Sequence, residues 1–138
     1  MLASAVASRC AQSCSTGFFF ADVDKKHSVA FPGLDLATHI EWTEFYGADA
    51  LIVSGRMTGA APDLEKVREA RRLATRPMLI GSGSTEENIG AFLGSADGVI
   101  VGSSLKKDGV MQNPVDVNGV RRFMDAVRAV RQAAAARR

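Results

Sequence analysis

Two Gly-Ser turns carry the residue types best suited to hold a phosphate. The first lies in Met78 to Ile89, MLIGSGSTEENI, where a short apolar run enters Gly81-Ser82-Gly83-Ser84 and helical sequence follows. Glycine admits positive φ and puts no Cβ in the way of a ligand, so Gly81 and Gly83 suit a turn that presents backbone N–H groups. Ser84, with Glu87 three residues on, has the spacing of a capping box, which starts a helix there. The free N–H groups and dipole of a first helical turn attract anions. A dinucleotide fingerprint requires a third glycine at position 86, where Glu86 stands, and the Gly-Lys-Ser/Thr ending of a P-loop is absent. The second turn, in VIVGSSLKK, sets Gly102, Ser103 and Ser104 just past an apolar run, with Lys106 and Lys107 close behind. Two such turns at adjacent strand ends can face one phosphate from two sides, and either lysine can add charge.

Two other segments carry polar groups at strand ends. ADVDKKHS offers Asp22, Lys26 and His27 as an acid–base set. His27 changes charge near neutral pH and is the candidate base, Asp22 can orient it, and Lys26 can hold an anion. A plain charged loop over a strand end is the alternative. SGRMTGAAPD offers Ser54 and Thr58 as donors and Arg56 as a clamp for carboxylate or phosphate. It reads equally well as a connecting loop. His39 precedes IEW on a helical stretch and is expected to pack there. No metal site follows, because Asp22 and His27 lack further ligands. Cys10 and Cys14 share a helix face but do not have zinc spacing, and they read as small buried side chains. No motif calls for a cofactor.

These residues need elements that bring strand ends together. Four units of like grammar run along the chain, each an apolar run, a Gly/Ser or charged loop, and a helical pattern. The runs are Phe18 to Val23, Ala50 to Val53, Pro77 to Ile80 and Gly98 to Val101. The expected helices cover Asp35 to Tyr46, Asp63 (as N-cap) to Ala74, Thr85 to Leu93, and Asp116 to Ala135. The runs are unbroken rather than alternating, the pattern of strands covered on both faces in a parallel sheet. Four alternations of strand and helix define an α/β fold with right-handed crossovers. In such sheets ligands bind at the C-terminal strand edge, where all these turns fall.

With 138 residues the chain suffices for one domain, residues 17–138, after an N-terminal extension or remnant helix at 1–16. Apolar residues make up 46% and charged residues 23%, within the range of globular proteins. The net charge of +2 gives no argument for nucleic acid. No apolar run approaches the roughly 20 residues that span a bilayer. The expected location is cytoplasmic, or plastid or thylakoid if the Ala/Ser-rich, acid-free first 16 residues are a transit peptide. Arg121, Arg122, Arg128 and Arg131, with Arg137 and Arg138 beyond, form a basic side on the last helix. It reads as a solvated face, with peripheral contact to an anionic membrane as the sharper alternative.

FFADVDKKHS, GADALIVSGRMTGAAPDLEKVREAR, PMLIGSGSTEENI and ADGVIVGSSLKKDGVMQNPVD, in this order, resemble the BtpA family over about residues 18–130. The resemblance implies a TIM-like (β/α)8 barrel of the ribulose-phosphate-binding type. It matches Gly81 to Gly83 and Gly102 to Ser104 to that superfamily's phosphate turns. The family's strand-end KHS falls on Lys26, His27 and Ser28, and its SGxxTG on Ser54, Gly55, Thr58 and Gly59. It is known for a thylakoid-associated member required for photosystem I accumulation. Other members accompany sugar-metabolism genes. A complete barrel needs eight βα units and about 250 residues, whereas this sequence carries four, matching the family's C-terminal half. The expected architecture is therefore an open half-barrel, or a pair of chains closing one barrel, with a flatter flavodoxin-like sheet as the alternative. The expected partner is a phosphorylated small molecule, a phosphorylated sugar or related metabolite, with isomerisation or another proton transfer as the expected reaction. The competing readings are a non-enzymatic factor for assembly of a membrane complex and an inactive truncated copy.

Overall fold

The computed structural model describes residues 17–24, 33–55 and 59–136. Four strands, β1 (Phe20–Asp24), β2 (Ala50–Ser54), β3 (Met78–Gly81) and β4 (Gly98–Ile100), alternate with helices α1 (Leu36–Phe45), α2 (Leu64–Leu73), α3 (Ile89–Leu93) and α4 (Val117–Ala135). All neighbouring strands pair in parallel, and their order in the sheet is their order in the chain. A flavodoxin-like sheet reverses its strand order part-way; this one does not. With right-handed crossovers and no reversal, every connecting helix lies on the same face of the sheet. That is the construction of a barrel segment, here left open.

Aspartates start three of the helices. Asp35 Oδ1 accepts from the Thr38 amide at 2.8 Å, Asp63 Oδ1 from the Glu65 amide at 3.0 Å, and Asp116 Oδ1 from the Asn118 amide at 3.0 Å. Each satisfies an amide that the helix leaves without a carbonyl. In α2, Glu65 in the first turn and Arg71 and Arg72 in the last complement the helix dipole.

The side chains of each strand alternate between two faces. On the outer face Ala21, Val23, Leu51, Val53, Met78 and Ile80 are buried and form one cluster with Ile40, Val67, Ala70 and Phe92 from the helices. A smaller cluster of Ile89, Phe123 and Val127 seats α4 over Val99, Val101 and Leu105. The apolar residues of the inner face include Phe20, Ile52, Leu79 and Ile100. Phe20 is 49% exposed and Ile100 46% exposed, and Ile52 and Leu79 are half-buried. The sequence thus gives strands suited to cover on both faces, and among the described residues only one face is fully covered.

At the N-terminal edge of the sheet one device appears twice. The Asp49 amide donates to the Phe19 carbonyl at 2.8 Å while Asp49 Oδ2 accepts from the Phe19 amide at 2.6 Å. Asp97 repeats this on Met78, at 2.9 and 2.8 Å. Each aspartate precedes a strand and ties it to the start of the strand before, which satisfies edge amides and fixes register. This pairing serves stability, because it lies on the side of the sheet away from the ligand edge.

Candidate functional site

β3 ends at Gly81, whose position is set by close packing. A Cβ there would stand 2.7 Å from Ser54 Oγ and 2.8 Å from Ile52 Cγ2. The positive φ expected of Gly81 falls instead on Ser82 (φ 79) and Gly83 (φ 68). Ser82 is a non-glycine residue in the left-handed region, a conformation that costs about 1–3 kcal/mol and is concentrated at functional sites. A Cβ on Gly83 would fall 2.1 Å from the Ala61 nitrogen, so this turn packs backbone to backbone on the loop after β2.

The expected capping box at Ser84 and Glu87 does not form. Helix α3 begins at Ile89, four residues later than expected, and contains five residues. Asn88 organises the turn instead: its Oδ1 accepts from the Thr85 amide at 2.8 Å and its Nδ2 donates to the Gly83 carbonyl at 2.8 Å. Ser84 is 1% exposed, and among the described residues its hydroxyl has no hydrogen-bond partner. A hydrogen bond with the Thr85 hydroxyl, with help from a backbone amide, holds the exposed Glu87 carboxyl below its usual range. Glu86 pairs with Arg122 at 3.3 Å. A helix this short and this late contributes little dipole to an anion, so any affinity must come from turn amides, hydroxyls and lysine.

The second turn adjoins the first. Ser104 Oγ donates to the Ser84 carbonyl at 2.6 Å and latches the two together. Ser103 to Leu105 form a single 3-10 turn, and Lys106 pairs in an antiparallel bridge with Val115. Between the turns lies a cleft of about 240 Å³. Ser82, Gly83, Gly102, Ser103, Ser104 and Lys106 supply its polar wall, and Ile100, Val101 and Met111 its apolar wall. Gly59, from the loop after β2, reaches the same cleft, and a Cβ there would stand 3.6 Å from Ser103 Oγ. Of the two lysines, Lys106 lines the cleft and Lys107 is exposed. Gly81 does not line it.

The other expected site residues lie elsewhere. Asp22 and Ser54 share the inner face of β1 and β2, where Ser54 Oγ donates to Asp22 Oδ2 at 2.7 Å. Ser54 is 4% exposed, so its proton is committed to the carboxylate and it supports Asp22. Nothing in the local sequence pointed to this pair, because 32 residues separate its members. Lys26, His27, Arg56 and Thr58 lie outside the described residues, as do Cys10, Cys14, Arg137 and Arg138. His39 sits half-buried on α1, and its carbonyl accepts from Thr43 Oγ1 at 2.7 Å. No cluster of metal-ligating side chains occurs among the described residues.

The basic side of α4 is largely paired. Arg122 meets Glu86 and Asp116, Arg128 meets Asp125 at 2.7 Å, and Arg121 meets Asn118. No helix among the described residues is long and apolar enough to cross a membrane.

The BtpA family model matches residues 7–129, nearly the whole chain. The chain belongs to the BtpA family. Its relatives include an uncharacterized protein of Thermococcus kodakarensis, 35% identical over 113 residues, which cover 82% of this chain and 43% of that protein. The photosystem I biogenesis protein BtpA of Synechocystis is 40% identical over 109 residues, 78% of this chain and 38% of that protein. An uncharacterized mitochondrial protein of Caenorhabditis elegans is 35% identical over 115 residues, 82% of this chain and 41% of that protein. This BtpA-family chain therefore spans about two fifths of the length of the curated relatives it matches.

Proposed function

We propose that the cleft between the β3 and β4 turns binds the phosphate of a small phosphorylated metabolite, with a sugar phosphate as the favoured class. The observation that carries this reading is the convergence of both Gly-Ser turns and Lys106 on one cleft of about 240 Å³. Hydroxyls and a lysine ammonium are the groups a phosphate needs, and the Ile100–Met111 wall suits the carbon skeleton of a small ligand. The strained backbone at Ser82 supports the same reading. In barrels the phosphate commonly sits between the last two strand-to-helix loops. Proton transfer on the ligand, with His27 as base and Asp22 and Lys26 as its supports, is the proposed reaction class.

Thermal melts of the chain with inorganic phosphate and a panel of sugar phosphates test the binding. A concentration-dependent rise in melting temperature is expected. No shift with any phosphate, inorganic phosphate at high concentration included, counts decisively against the reading and leaves the inactive-copy alternative in its place.

The name of the Synechocystis relative supports a second reading, a non-enzymatic factor in biogenesis of a membrane complex. It requires peripheral membrane contact, for which α4 is the candidate. Flotation with anionic liposomes at low salt separates the two, since a chain that stays with the soluble fraction rules out the membrane contact.

A further inference from the structure

Three adjacent strands each bring one residue to the same part of the ligand edge: Asp22 on β1, Ser54 on β2 and Gly81 on β3. Ser54 Oγ donates to Asp22 Oδ2 at 2.7 Å. A Cβ at Gly81 would stand 2.7 Å from that same Oγ. Gly81 thus gives the hydroxyl its place, and the hydroxyl fixes the carboxylate. Ser54 and Gly81 are register partners, as are Gly81 and Ile100. The row ends in the phosphate cleft, because Ile100 lines that cleft and so does Ser82, the residue after Gly81. Gly81 puts no side chain between Ile100 and Ser54. These positions follow from strand register within the chain, so they hold irrespective of what covers the rest of the inner face.

We infer that Asp22 binds the far hydroxyls of a phosphate monoester whose phosphate occupies the cleft, with Ser54 as the positioning residue for Asp22; this rests on the phosphate reading of the cleft. A carboxylate offers about four acceptor positions, so it can hold Ser54 and ligand hydroxyls at once. A hydroxyl bonded to a charged acceptor is among the stronger neutral-donor contacts, which suits Asp22 to select a polyhydroxylated ligand over bare phosphate.

Strand spacing sets the length of that ligand. Neighbouring strands lie about 4.8 Å apart, so β1 stands about 10 Å from β3, and the cleft lies beyond β3. An extended chain advances roughly 1.2 Å per bond, so an open-chain three-carbon ester spans about 6 Å from phosphorus to its last oxygen and a six-carbon ester about 10 Å. The three-carbon ester falls short of Asp22 and the six-carbon ester reaches it. Charge sets a second limit. Lys106 attracts an anion at one end of the row, whereas a second phosphate at the other end would meet the Asp22 carboxylate. Like-charge repulsion there selects a monophosphate over a bisphosphate of the same skeleton.

Titration calorimetry of the chain with inorganic phosphate, glycerol phosphate, fructose monophosphate and fructose bisphosphate tests this. Fructose monophosphate is expected to bind about tenfold or more tighter than inorganic phosphate or glycerol phosphate, and tighter than the bisphosphate. Asp22→Asn keeps an acceptor for Ser54 and removes the charge. It is expected to bring the ratio of fructose monophosphate to inorganic phosphate affinity close to one and to abolish discrimination against the bisphosphate. Ser54→Ala should lower the same ratio in part, whereas a merely structural role would move both affinities together. Amide resonances of the wild-type chain give a check independent of variant folding. Ser82, Gly83 and Gly102 should shift with inorganic phosphate, and Asp22 and Ser54 should shift only when fructose monophosphate is added. Equal wild-type affinities for fructose monophosphate and inorganic phosphate, a ratio that Asp22→Asn leaves intact, or Asp22 and Ser54 resonances indifferent to the ester overturn the inference. Absence of inorganic phosphate binding is read on its own arm, and it overturns the phosphate reading and the inference with it.

Discussion

The hydroxyl of Ser104 donates to the carbonyl of Ser84 across 2.6 Å, joining the turn after β4 to the turn after β3. This bond ties the two sides of the candidate cleft together. Ser104→Ala is expected to cost about 1 kcal/mol of stability, the usual worth of a neutral hydrogen bond. That lowers the melting temperature by a few degrees. The loosened cleft is also expected to bind phosphate more weakly, so a melt and a phosphate titration should fall together. Ser104→Thr keeps the hydroxyl and should recover both.

Ser84 makes the opposite prediction. Had its side chain capped a helix, Ser84→Ala would cost about 1 kcal/mol. A buried hydroxyl without a partner instead costs about 1–3 kcal/mol to keep. Ser84→Ala is therefore expected to leave stability unchanged or raise it. Chemical denaturation distinguishes the two, and a clear loss would mean that the hydroxyl is bonded.

Lys106 and Lys107 are neighbours with different surroundings. Lys106→Met is expected to weaken phosphate binding by about tenfold or more, as loss of a charge-assisted contact does. Lys107→Met should change it little. Titration of each variant with inorganic phosphate, followed by phosphorus or amide resonances, checks this. Equal effects of the two substitutions would place the anion outside the cleft.

The Ser54–Asp22 bond at 2.7 Å is a polar tie between β1 and β2 on the inner face. A hydroxyl on a carboxylate is worth about 1.5–3 kcal/mol where the acceptor is charged. Ser54→Ala and Asp22→Ala, singly and together, form a double-mutant cycle. A coupling energy in that range is expected, and strict additivity would show the bond to be energetically idle.

Glu44 links α1 to the start of β3 and gives the fold a pH-sensitive element. Its Oε1 accepts from the Thr75 amide at 2.8 Å and the Arg76 amide at 3.0 Å, and its Oε2 from the Thr75 hydroxyl at 2.6 Å. Partial burial opposes its charge, but the Thr75 hydroxyl and the two amides outweigh this and hold the carboxyl below its ordinary 4.5. A depressed carboxyl stabilises the fold above its unfolded value and loses that contribution as pH falls through the lower, folded one. Melts between neutral pH and about pH 3 should show an acid-side loss that Glu44→Gln reduces. An unchanged acid limb in the variant would assign the loss to other carboxylates.

Much of this protein was legible without coordinates. The four apolar runs, the Asp63 N-cap and the Gly-Ser turns are local features, and helix and strand start where local chemistry satisfies backbone groups. The family match was legible for the same reason, since order and spacing of such blocks survive in sequence. The onset of α3 was misread because Ser84 and Glu87 have the right spacing. In the fold, Ser84 is drawn under the Ser104 latch, and Asn88 closes the turn from the other side.

Only the tertiary structure decided how the pieces meet. It placed Ser54 on Asp22, gave the left-handed conformation to Ser82 rather than Gly81, and chose Lys106 over Lys107 for the cleft. Each of these depends on which strands are neighbours, and strand order is set by packing between residues far apart in the chain. The same packing left Phe20 and Ile100 half exposed on an inner face whose apolar residues the sequence had already specified. The sequence by itself determined the elements, their caps and the polar turns, because those follow from chemistry within a few residues. The sheet order determined which turns share a cleft and which face remains open, because those follow from contacts that form only when distant strands pair.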